Sequence, residues 1–104
     1  MFKIKAKPTF VAPVPIPVPG GEPEPLTLVF RHKTRDEMNE YLKRTAAIAT
    51  NDVGPLMEII EGWQDVDTEF SKDALQELVQ NHHGSVTAIL DTYVVELAEG
   101  RRKN

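Results

Sequence analysis

Residues 10–30 read FVAPVPIPVPGGEPEPLTLVF, two alternating segments joined through Gly20-Gly21. In the first, Val14, Ile16 and Val18 fall between Pro13, Pro15, Pro17 and Pro19; in the second, Leu26, Leu28 and Phe30 alternate with Thr27, Val29 and Arg31. Period-two alternation marks a strand with one buried face. Proline donates no hydrogen bond to a ladder, so the first segment is an edge strand or a polyproline II stretch. Gly20-Gly21 turns the chain, and Glu22-Pro23-Glu24-Pro25 keeps the connection polar and stiff. A hairpin pairing residues near 12–18 with 26–32 follows. Upstream, Phe2, Ile4 and Ala6 alternate with Lys3, Lys5 and Lys7, which predicts a further half-buried strand.

Beyond Lys33 the pattern becomes helical. Thr34-Arg35-Asp36-Glu37 is a capping box, and Met38, Tyr41, Leu42, Thr45, Ile48 and Ala49 form one stripe behind it. A short second helix starts around Pro55, carries Leu56, Met57, Ile59 and Ile60, and stops at Gly62. Trp63 to Phe70 reads as an acidic loop with Trp63 as a lid over the helices. Ser71 caps a third helix with Ala74, Leu75, Leu78 and Val79; Ser85 caps a fourth, from Val86 to Leu97, closed by Gly100. The expected fold is α+β: a proline-rich β-hairpin of two or three antiparallel strands, then a bundle of about four helices. One small domain spans 1–104, with a hairpin segment at 1–33 and a helical body at 34–104. Its core is expected to draw on Phe30, Met38, Leu42, Leu56, Ile60, Trp63, Phe70, Leu75, Leu78, Ile89, Leu90 and Tyr93.

Charge is unevenly placed. Residues 1–34 carry a net +3, residues 35–99 carry −10, and Arg101, Arg102 and Lys103 add +3. An acidic body opposes phosphate binding, so no nucleic acid partner is expected. The basic ends suit an acidic partner or the body of a neighbouring copy. The chain has no cysteine, which removes disulfides, thiolate metal sites and a cysteine nucleophile. No apolar run approaches a membrane span, and Met1-Phe2-Lys3-Ile4-Lys5 places charges where a signal peptide needs its apolar core. A cytoplasmic protein without membrane contact is the expectation.

The residues that usually carry chemistry do not assemble into a site. His82-His83 lacks further ligands at zinc spacing and reads as a helix-end pair. Asp65, Asp67 and Glu69 begin like a calcium loop, but Phe70 and Gln76 occupy the positions that need glycine and glutamate. Asp36, Glu37 and Glu40 belong to a helix's first turns. No phosphate loop, dinucleotide fingerprint or nucleophile elbow occurs, and no two prolines have PxxP spacing. The expectation is a non-enzymatic protein with no catalytic residues, cofactor or metal.

The ordered series Val14-Pro15-Ile16-Pro17-Val18-Pro19-Gly20, Leu28-Val29-Phe30-Arg31-His32-Lys33-Thr34-Arg35-Asp36-Glu37, Gly62-Trp63, Val66-Asp67-Thr68-Glu69-Phe70-Ser71 and Arg101-Arg102-Lys103-Asn104 resembles the tail assembly chaperones of long-tailed bacteriophages. The resemblance implies a protein of the bacterial host cytoplasm that coats the tape measure protein and helps recruit the tail tube protein. It also implies self-association into arrays and absence from the finished virion. In many members a ribosomal frameshift appends a second domain, so a longer form of the same chain is a further expected partner. A structural tail completion or connector protein, retained in the virion, is the alternative. A small enzyme or toxin-like factor is a third class. From edge and charge chemistry, the expected partner-binding residues are Val14, Ile16 and Val18, then the helical face around Tyr41 and Tyr93, with Arg101 and Arg102 steering.

Overall fold

The computed structural model describes residues 1–46 and 52–99. Strand β1 (Thr9–Ile16) and β2 (Glu24–Arg31) precede helices α1 (Arg35–Thr45) and α2 (Gly54–Ile59); β3 (Ile60–Gln64), α3 (Lys72–Asn81) and α4 (Ser85–Glu99) complete the order. Among the described residues the fold is α+β, an antiparallel sheet of strand order β1-β2-β3 with four helices. The expected hairpin is present with both strands starting and ending about two residues earlier.

Register explains how prolines remain in the sheet. Pairing runs from Thr9↔Arg31 to Ile16↔Glu24, and His32 N–H donates to Pro8 O at 2.9 Å. Even-numbered β1 residues therefore turn their backbone groups toward β2, and odd-numbered ones turn theirs away. Pro13 and Pro15 occupy odd positions, where a missing N–H costs the ladder nothing. They leave that part of the edge without donors, which restrains edge-to-edge pairing. Between the strands, Gly21 N–H donates to Val18 O at 3.1 Å, with Pro19 and a left-handed Gly20 (φ 75°) between them. That is a type II turn, whose third residue favours glycine.

The sheet's inner face and the helices enclose the core. Ala12, Val14, Ile16, Leu28, Phe30 and Ile60 meet Tyr41, Leu56, Ile59, Leu75, Ile89 and Tyr93 there. Phe10, Phe30 and Tyr93 stack with ring centroids 5.1–5.9 Å apart, seating α4 along β1. Each large side chain so buried contributes about 1.5–3 kcal/mol relative to exposure.

Four expectations need correction. Residues 1–7 form no strand, and Phe2 and Ile4 are exposed, because no neighbouring strand pairs with them. The second helix ends at Ile59, not Gly62; the chain passes into β3, so Trp63 and Gln64 are strand residues. Gly62 lies opposite Val29 and Ile60 opposite Phe30, which leaves Glu61 as a bulge. Leu42 is 41% exposed rather than core, since α1 turns Met38 and Tyr41 inward instead. Ser85 is the first residue of α4, and its buried Oγ has no hydrogen-bond partner among the described residues, so it does not cap. Trp63 does act as a half-buried lid: it meets Phe70 edge-on at 5.1 Å and its Nε1 donates to Thr68 O at 2.8 Å. The expected stripe positions Ile48 and Ala49 and the stop at Gly100 lie outside the described residues.

Candidate functional site

Helix α1 begins where Thr34 and Glu37 satisfy each other's backbone. Thr34 Oγ1 accepts from Glu37 N–H at 3.2 Å, and Glu37 Oε1 accepts from Thr34 N–H at 2.8 Å. Hydrogen bonding from the Thr34 backbone N–H, and then from its side chain, holds the Glu37 carboxyl below its ordinary pKa. From this start, Arg35, Met38, Asn39 and Leu42 recur at helical spacing along one face. Val94, Leu97 and Ala98 do the same near the end of α4. Together with His32, Lys33 and Thr34 they line an open groove of about 450 Å³. Leu42 (41%) and Val94 (36%) stay exposed in it. The groove has an apolar bed and a basic rim at one end. Nothing in the described chain fills it.

Behind the groove, the opposite side of α1 is fixed to α2. Glu58 accepts from Lys33 Nζ at 2.7 Å and from both Arg44 nitrogens, Nη1 at 3.1 Å and Nη2 at 2.9 Å. The Arg44 and Lys33 hydrogen bonds lower the Glu58 pKa to about 2. Lys33 and Arg44 also stand over the Tyr41 ring, 5.2 and 5.6 Å from its centroid. Tyr41 Oη donates to Pro55 O at 2.6 Å, and burial raises its pKa to about 12.

The other wall is fixed through Arg31. Tyr93 Oη donates to Arg31 O at 2.6 Å, and burial raises this phenol too. The Arg31 guanidinium donates to Met57 O at 2.8 Å and Ile60 O at 3.1 Å, serving carbonyls at the end of α2. One residue at the end of β2 thus ties α4 to α2. The two helices that wall the groove are thus each anchored from behind by a buried tyrosine.

The residues expected to bind partners take different places. Val14 and Ile16 point into the core, so the anticipated apolar patch of Val14, Ile16 and Val18 is not a surface; only Val18 is half-exposed. The reason is the alternation itself, which aims the larger side chains of β1 inward and leaves Val11, Pro15 and Pro17 outside. Val18 instead joins Pro17, Pro19, His83 and Gly84 around a smaller hollow of about 240 Å³. Tyr41 and Tyr93 are fully buried and build the walls of the groove without facing it. Arg101 and Arg102 lie outside the described residues.

Sequence reading missed Leu42 and Val94 as surface residues because each completes an apolar helical stripe. The signal that separates them is position: with Tyr41 and Tyr93 pointing inward, residues one further along each helix turn about 100° away. Among the described residues no cluster of three or more His, Asp or Glu could hold a metal ion, and no helix is long and apolar enough to cross a membrane.

A family model described as phage tail assembly chaperone matches residues 1–104, the whole chain. No curated protein and no solved structure matches.

Proposed function

We propose that this chain, which belongs to the phage tail assembly chaperone family, holds an apolar helical stretch of the tape measure protein in the groove between α1 and α4. The observation that carries this reading is the groove itself, with Leu42 and Val94 exposed over a bed closed by Met38 and Leu97. An amphipathic helix lays its apolar side into such a groove, and Arg35 on its rim favours acidic residues beside it. The chaperone works without catalysis in the host cytoplasm, as one unit across residues 1–104. Shielding the client until the tail tube protein arrives, it then leaves and is absent from the virion. Further copies, and a longer frameshifted form where one is made, share the client, with Arg101 and Arg102 adding positive charge for steering.

Co-expression tests this reading. The tape measure protein should stay soluble and co-purify with the chain, and mass spectrometry of purified particles should find none of the chain itself. A chain retained in particles at fixed stoichiometry would favour the connector reading.

A further inference from the structure

Residues 1–7 carry the alternation of a strand but pair with no strand. Phe2 (86%) and Ile4 (90%) are exposed and alternate with Lys3, Lys5 and Lys7 up to the start of β1. Such a segment has one apolar and one basic face when extended. It leads through Pro8 into β1, an edge strand of the sheet.

The other edge is β3, and no described strand pairs with its outer side. Because even residues of β2 serve β1, Thr27 and Val29 serve β3, and their partners Gln64 and Gly62 face inward along the ladder. Trp63 then turns its N–H and C=O outward. This edge has no proline, unlike the edge carrying Pro13 and Pro15. Glu61, Asp65, Asp67 and Glu69 are all exposed on it and just beyond it. Trp63 and Phe70 form a half-buried apolar ledge alongside.

We propose that residues 2–6 of one copy add as a strand to the β3 edge of a second copy. Lys3, Lys5 and Lys7 then lie near Glu61, Asp65, Asp67 and Glu69, while Phe2 and Ile4 cover the Trp63–Phe70 ledge. This deepens the self-association in the reading above and rests on it. Charge decides the acceptor: pairing two arms would set lysine against lysine, whereas the β3 edge supplies acids. Arm and edge are different surfaces, so the contact is heterologous, and repetition gives a ring or an open chain of copies.

Two measurements test it on the full chain. Sedimentation velocity reads whether copies associate. Cross-linking reads where, since the chain has no cysteine of its own. A copy carrying Lys5→Cys is mixed with a separately tagged copy carrying Gln64→Cys and treated with a short thiol-specific cross-linker. A cross-linked pair of differently tagged copies is expected. Reversing the arm with K3E/K5E/K7E should weaken association roughly tenfold, and mixing that variant with D67K/E69K should restore pairing. Association without the Lys5–Gln64 cross-link overturns the arm but leaves self-association standing. A chain that stays monomeric overturns both. Cross-links confined within single chains of a Lys5→Cys/Gln64→Cys double variant also overturn the proposal, because the arm would then close on its own sheet.

Discussion

Replacing Gly84 by alanine sets a Cβ 2.8 Å from Pro17 Cγ and 3.4 Å from Pro17 Cβ. A pyrrolidine ring cannot swing aside, so either the turn at 17–21 or the link between α3 and α4 must move. Overpacking of this kind costs about 1–3 kcal/mol. Gly84 also precedes α4, its carbonyl accepting from Ala88 N–H at 3.1 Å. Alanine in that position is worse than glycine by about 1 kcal/mol. The expected loss for Gly84→Ala is about 2–4 kcal/mol, a large share of a small domain's stability. Urea unfolding followed by circular dichroism reads it, with Gly62→Ala as control, because a Cβ there meets nothing within 4 Å. Pro17→Ala removes the ring, so the double variant should recover about 1 kcal/mol of the loss. A Gly84→Ala change within about 0.5 kcal/mol of the parent, or no coupling to Pro17, would refute the close approach of turn and linker.

Tyr93→Phe should destabilise by about 1–2 kcal/mol, because the Arg31 carbonyl loses its donor; a smaller loss with intact signals would mean the bond is not formed. Stability should also fall in acid as Glu58 is protonated. Its folded pKa of about 2 lies below the ordinary 4.5, so the contribution is complete above that value and disappears as pH falls toward 2. Solvent screening reduces it to about 1 kcal/mol, and Glu58→Gln should flatten that part of the stability–pH curve. Ile16→Asp, at 4% exposure, should cost more than about 3 kcal/mol, whereas Val11→Asp, at 52%, should stay within about 0.5 in the same urea assay.

How far the sequence discloses this molecule depends on whether its signals are local. Thr34 and Glu37 announce α1, Ser71 announces α3 with its Oγ accepting from Ala74 N–H at 3.0 Å, and the alternation of 26–30 announces β2. These signals lie within a few residues of what they specify. Strand β3 does not: IEGWQ is too short for a period, and it is a strand because Gly62 and Gln64 pair with residues more than thirty positions earlier. The capping reading of Ser85 fails for a related reason, as Gly84 must lie against Pro17 and the helix already begins at Ser85. The groove is the least legible feature. Its walls meet only because Tyr41 reaches Pro55 and Tyr93 reaches the Arg31 carbonyl, 62 residues away.

Client capture by the groove is open to a direct binding measurement. Leu42→Asp/Val94→Asp places two charges on its exposed bed and, at partly exposed positions, should leave helical circular dichroism unchanged. Binding of a soluble helical segment of the tape measure protein is then measured by isothermal titration calorimetry against the parent chain and Val11→Asp. The double variant should lose binding by roughly a hundredfold or more, while Val11→Asp should bind as the parent does. Unchanged binding by the folded double variant, with loss in Val11→Asp, would place the client on the open face of the sheet and contradict the groove.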